Sequence, residues 1–447
     1  MTNIEHIEKT YTYEDGEIQR VQVVKAPSWD SLDFFSTSFS VEAFNSVVNT
    51  INRFQVQKYP FLYGTMVFFH IPEGVEVPIC ENIGMYGDFK DKNIAASILF
   101  KKRFKKGRFF PMNDGEKKFI DKLKDAGTFR VLKGLRSNVV TLPFSENIGF
   151  MSSAMPEAAV KVNSTFFIMD SYDCSTVYDI VGTPLGLCVK NGRVINLPLY
   201  EREALVVRNS GILVEMPLLK NLHFDIEGTE FVPGENCRIY ERSDYRITKR
   251  TTGTDLVVVG TRVVAVKTGG KTDVPGGGFV LQTDKPVSFI KPDSEVNVKG
   301  FEDVSFAIQT GNSIMRDGVA SGGFISKFYN IRKLVNIPYP PCFYPLDYEN
   351  SRAARIAIGA DKNKTPCLMW AEGSAKIGHI KGCDSRGASL KDMEDFCRDF
   401  GIENAINLDG GGSAQILVNN TRSLHISDRS EDGSETERAV PLGLYIP

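Results

Sequence analysis

From about residue 136 onward the chain is a succession of short apolar runs, each closed by Gly, Asn or Asp, and that cadence demands β-sheet. Gly186–Lys190, Asn191-Gly192 and Arg193–Leu197 have the strand, two-residue turn and strand of a hairpin. Asp255–Val259, Gly260-Thr261 and Arg262–Lys267 repeat the form, and Gly276-Gly277-Gly278 before Phe279–Gln282 marks a tight bend. One helix stands out. Ser389 and Asp392 have the spacing of a capping box, Leu390, Met393, Phe396, Cys397 and Phe400 share a face, and Gly401 ends the run. The pattern is α+β, with β-rich mixed or antiparallel sheets and few helices. Strict β–α alternation is lacking, which argues against a doubly wound parallel sheet.

At 447 residues the chain exceeds one ordinary core, so two units are expected: a smaller mixed α+β region of unknown role over 1–135, and a main unit over 136–447. In the first, Ser40 precedes Val41, Phe44, Val47, Val48, Ile51 and Phe54 at helical spacing, and Phe61–Ile71 reads as a buried strand. Lys101–Phe110 interleaves basic and aromatic residues. Such a run can hold a polyanion, although a solvated loop or strand face is the commoner reason for it. The formal net charge of −2 gives nucleic acid and anionic membranes no global attraction, so neither is an expected partner. Met1–Gly16 is polar and acidic, unlike a signal peptide, and no apolar run is long enough to span a bilayer. A cytoplasmic or virion-associated location is expected. The eight cysteines form no Cys-x-x-Cys pair and the five histidines show no metal-site spacing. Free thiols are therefore expected, with no metal site. A divalent ion near Asp409 is compatible with the sequence, but no ligand cluster asks for one and no cofactor is implied.

Four places could carry chemistry. Asp409-Gly410-Gly411-Gly412-Ser413 has more glycine than a turn requires, and consecutive glycines let backbone amides approach an anion closely. A ligand loop and a plain turn both satisfy that spacing. In Ala159–Phe167 a short strand delivers a polar residue, Asn163, followed by the hydroxyls of Ser164 and Thr165 and an aromatic pair. Arg355 enters the apolar run Ile356–Gly359, where it could bind an anion or pair with a core-edge carboxylate. Leu368–Ala371 ends in Glu372-Gly373. By contrast, Gly269-Gly270-Lys271-Thr272 is not a P-loop, because Ala265 stands where its first glycine would be and the flanks read as hairpin. Gly276–Gly278 lacks a polar partner at a strand exit, and a structural turn is expected there.

Together these blocks resemble the phosphodiester glycosidase family. Asn407-Leu408-Asp409-Gly410-Gly411-Gly412-Ser413 matches the family signature, and Asn163–Phe167, Gln309–Gly318 (with Asn312), Arg355–Gly359 and Ser385–Leu390 follow in the family's order. The resemblance covers about residues 140–447. Glu372-Gly373-Ser374 departs from it, standing where Asp-Gly-Arg is usual, and the first third has no counterpart. The resemblance implies a hydrolase cleaving the glycosyl C1–O bond of a sugar-1-phosphodiester, such as a GlcNAc-1-phosphodiester, so a sugar phosphate or glycan is the expected partner. It implies catalytic roles for Asp409, Glu372, Asn163 and Arg355. Gly410, Gly411, Gly412, Ser413, Thr165 and Asn312 would bind substrate or phosphate. A non-catalytic carbohydrate- or phosphate-binding module of a viral or phage particle is the alternative.

Overall fold

The computed structural model describes residues 4–37, 148–169, 176, 178, 179, 182–321, 351–374, 379–429 and 433–447, together with the backbone of short strands between 65 and 144. The strands that frame the site are, in chain order, β1 (Glu5–Thr12), β2 (Ile18–Lys25), β3 (Asp33–Ser36), β4 (Val160–Asn163), β5 (Ser313–Arg316), β6 (Val319–Ala320), β7 (Arg355–Asp361), β8 (Pro366–Ala371), β9 (Ile402–Asn407), β10 (Ile416–Val418) and β11 (Leu442–Ile446). A helix, α1 (Leu390–Asp399), precedes β9.

Seven strands form one antiparallel sheet in the order β1-β2-β8-β7-β9-β5-β6. A second sheet, β10-β4-β11-β3, is antiparallel as well. Alternation along the strands explains how the layers stack. On β7 and β8, Ile356, Ile358, Leu368 and Trp370 point to the second sheet and meet Val160, Val162, Ile416 and Leu444. Their neighbours Ala357, Cys367, Met369 and Ala371 face the other way, against Met393, Phe396 and Cys397 of α1. The central strands are thus buried on both faces and read as unbroken apolar runs. Ser389 caps α1 reciprocally with Asp392, the box expected from the sequence.

Further antiparallel sheets are built from 188–190, 193–196, 204–208, 211–215 and 304–309, and from 237–241, 250–259, 262–270 and 278–283. Asn191 and Gly192, both at positive φ, make the expected two-residue hairpin turn. The fold is therefore mostly antiparallel β, with one α-helix among the described residues. No helix among them is long and apolar enough to cross a membrane.

Residues 5–36, which the sequence places in a separate N-terminal region, pair directly with the C-terminal strands. β2 runs beside β8, and β3 beside β11. Val21 and Val23 complete the helix-facing core while Val24 enters the other. The buried Lys190 ammonium donates to the carbonyls of Trp29 (3.0 Å), Asp30 (3.1 Å) and Leu32, fastening this stretch to the neighbouring sheet. The expected helix over 41–54 and the side chains of Phe61–Ile71 and Lys101–Phe110 lie outside the described residues, although backbone strands occur at Thr65–His70, Phe104–Lys105 and Arg108–Phe109.

Candidate active site

One end of the seven-stranded sheet gathers the polar residues singled out in the sequence. Because its neighbours are antiparallel, strand starts and strand exits alternate along that end. Arg355 opens β7 opposite Ala371 at the close of β8, and Ala357 lies opposite Asn407, the last residue of β9. Val21 also faces Ala371, and Ser313 faces Ile406. Arg20, Glu372, Arg355, Asp409 and Asn312 therefore arrive at one edge from five strands. Asn163 joins them from the end of β4.

The Asp409–Ser413 segment is held by its backbone. The Asp409 N–H donates to Ser164 O (3.0 Å), and its carbonyl accepts from Asn163 Nδ2 (2.7 Å). Asn163 Oδ1 accepts from the Gln415 N–H (3.0 Å). One buried amide thus clamps both ends of the loop, and Asn163 acts here as a positioning residue.

Each glycine of the signature has its own reason. A Cβ on Gly410 would come within 2.7 Å of Ala354 O. Gly411 has φ +59° and donates its N–H to Ala354 O (2.8 Å), so that amide is engaged within the protein. At Gly412 a Cβ would overlap the Asp428 carboxylate and the Arg438 guanidinium. Gly411–Ser413 forms a single 3₁₀ turn. The buried hydroxyls of Ser413 and Thr165 and the half-buried Asn312 Nδ2 have no partner among the described residues. Buried polar atoms are rarely left so. Asn312 is tied in through its carbonyl, which accepts from Asn407 N–H (2.9 Å).

Two expected chemical groups are deeply engaged. Arg355 is 5% exposed; its Nε donates to Ala388 O (3.2 Å) and its Nη2 to Ser351 O (3.0 Å). Glu372 is 2% exposed. Its Oε2 accepts from Arg20 Nη1 (2.9 Å) and from the Ser385 hydroxyl, and its Oε1 from the His425 N–H (2.8 Å). The glutamate thereby ties β2, β8 and the 425 segment together, using both oxygens. Beside it, a Cβ on Gly373 would overlap Ser427 Oγ, another buried hydroxyl without a partner.

The fork between Asp428 and Arg438 has no signal in the sequence. Arg438 Nε donates to Asp428 Oδ2 (2.9 Å) and Nη2 to Oδ1 (3.1 Å), a bidentate pair lying directly on Gly412. Its members sit ten residues apart and neither lies in a helix or a strand, so periodicity gives no clue. Arg20 is equally silent, because its partner Glu372 is 352 residues away. Among the described residues no group of three or more His, Cys, Asp or Glu could hold a metal. The described cysteines are free; burial pushes the Cys237 and Cys367 thiols up to about 12 and raises Cys188 and Cys397 as well. Such thiols are inert at neutral pH.

The second triple glycine does meet a carboxylate: the Gly276 and Gly277 N–H groups donate to Asp179 Oδ1 (2.6 and 3.4 Å). The anion is internal, so the expected structural role holds, with a polar partner that sequence did not reveal.

Residues 241–447 match the model of the phosphodiester glycosidase family. That stretch is a domain of the phosphodiester glycosidase family. Asp409, Glu372, Arg355, Asp428 and Arg438 lie inside the matched residues, whereas Asn163 and Thr165 precede them and reach the domain through β4. The mouse and human N-acetylglucosamine-1-phosphodiester alpha-N-acetylglucosaminidases are each 36% identical over 85 residues, 19% of this chain. That segment spans only 15% of either relative. Among solved structures, a hypothetical protein from Synechocystis aligns over 99% of this chain and 62% of its own, with 13% identity and a TM-score of 0.41. The catalytic domain of the zebrafish N-acetylglucosamine-1-phosphodiester alpha-N-acetylglucosaminidase, auto-inhibited by its pro-peptide, aligns over 99% of this chain and 82% of its own, with 12% identity and a TM-score of 0.39.

Proposed function

We propose that the phosphodiester glycosidase domain hydrolyses the C1–O bond of a sugar-1-phosphodiester, with Asp409 acting on C1 or on the attacking water. Support comes chiefly from one observation: the N–H and the carbonyl of Asp409 are fixed by Ser164 and Asn163, which sets its carboxylate just past the end of β9. The side chain emerges half-buried at a strand exit beside a glycine turn whose Ser413 hydroxyl has no partner among the described residues. A phosphate ester leaves as a stable anion, so the reaction asks little of a general acid. It asks for a carboxylate at the anomeric carbon and hydrogen-bond donors around the departing oxygens. In balance, a water oxygen bonds to C1, the C1–O bond breaks with its electron pair going to phosphate, and the water proton passes to a carboxylate or to solvent.

In this reading Gly410, Gly412, Ser413, Thr165 and Asn312 offer donors to the substrate. Asn163 positions the loop, and Glu372 and Arg355 brace the strand ends around it. The substrate named for the mammalian relatives makes a GlcNAc-1-phosphodiester the first compound to try. Incubation with it and with UDP-GlcNAc should release free sugar at a steady rate set by enzyme concentration. Saturable binding without sugar release would contradict the hydrolase and favour a glycan-phosphate binding module.

A further inference from the structure

We infer that Arg438, steered by Asp428 across Gly412, is the arginine that grips the substrate phosphate. This assignment rests on the phosphodiester reading above, and it replaces Arg355 in that role. Arg355 is buried, and its Nε and Nη2 donate to the carbonyls of Ala388 and Ser351, which fix the entry of β7. Turning that guanidinium toward a ligand would strip those carbonyls of their donors, and an acceptor left unmatched inside a protein opposes the move.

Arg438 is placed differently. Its side chain is 21% exposed, and the Asp428 fork uses only Nε and one face of Nη2. The remaining nitrogen, Nη1, donates to Met169 Sδ at 3.6 Å. A thioether is a weak acceptor that a phosphate oxygen displaces readily. Of the guanidinium's five N–H groups, then, two hold its orientation and the rest can serve an anion. The contact with Gly412 fixes where that anion would sit: next to the Gly412 backbone and the buried Ser413 hydroxyl, which has no partner among the described residues. A Cβ at 412 would fill the place the fork occupies, which ties the third glycine of the signature to the arginine. Asp428 orients the cation but also repels a phosphate, so the two members of the pair should have opposite effects on anion binding.

That opposition is the test. Binding of inorganic phosphate, GlcNAc-1-phosphate and free GlcNAc is measured by calorimetry on the full chain and on the Arg438→Gln, Arg438→Lys and Asp428→Asn variants. The Asp428→Asn change keeps one acceptor for the fork while removing the negative charge. The expected result is a loss of at least tenfold in affinity for both phosphates in either Arg438 variant, with GlcNAc unchanged and Asp428→Asn binding phosphate as tightly as the parent or more so. Arg438→Lys keeps the charge and serves if the glutamine variant fails to fold. If Asp428→Asn and the Arg438 variants weaken phosphate equally and in step with lowered melting temperature, the pair is only a structural clamp and the inference is overturned. It is overturned too if the parent hydrolyses a phosphodiester and Arg438→Gln leaves KM unchanged, an outcome that spares the hydrolase reading. Conversely, Arg438-dependent phosphate binding in a parent that releases no sugar supports the grip while removing the hydrolase.

Discussion

Asp409→Asn is expected to lower turnover of a GlcNAc-1-phosphodiester by roughly 10²–10⁴-fold, the usual range for removing a catalytic carboxylate, while leaving the melting temperature nearly unchanged. Both halves follow from how the residue is held. Its N–H and carbonyl are fixed by Ser164 and Asn163, and asparagine keeps the same backbone and nearly the same side-chain shape. What the change takes away is the negative charge, which neither a nucleophile nor a base can spare. Glu372→Gln is the informative control. That carboxylate receives Arg20, Ser385 and the His425 N–H inside the protein, so its loss should act mainly on the unfolding midpoint. Comparable losses of turnover with no change in stability for both variants would mean that the two carboxylates share the chemistry.

The second large effect is expected at Gly412. An alanine Cβ would overlap the Asp428 carboxylate and the Arg438 guanidinium, so either the loop or the fork must move. Overpacking of this kind costs about 1–3 kcal/mol of stability. A shift of about 1 Å at a reacting centre costs on the order of 10²-fold in rate. Gly411→Ala separates space from backbone strain, because a Cβ at Gly411 meets nothing within 4 Å and only its φ of +59° is unfavourable. Gly411→Ala should therefore retain far more activity than Gly412→Ala, as read by kcat/KM with urea unfolding alongside. Equal losses would show that the glycines matter for conformation alone.

Much of the fold and part of the site are legible in the amino-acid sequence because they are local. The hairpin turn at Asn191-Gly192, the reciprocal cap of Ser389 and Asp392, and the strand exits at Asn163, Glu372 and Asp409 each depend on a few neighbouring residues. The triple glycine at 410–412 likewise stands out as excessive for a turn. How the labour divides among those glycines is not legible, since Ala354 and the Asp428–Arg438 fork are brought to them only by folding. The pairing of β2 with β8 is hidden for the same reason: the two strands lie far apart in the chain, and alternation alone names no partner. Arg355 illustrates a subtler limit. Its position at a strand entry suits an anion ligand and a structural brace equally well, and its bonds to Ala388 and Ser351 come about only on folding.

Hydrolysis in ¹⁸O-water reads directly which bond breaks. If attack falls on the anomeric carbon, the label appears in the C1 hydroxyl of the released sugar and the phosphate carries none. Label in the phosphate would place the attack on phosphorus, and the domain would then be a phosphodiesterase without glycosidase chemistry.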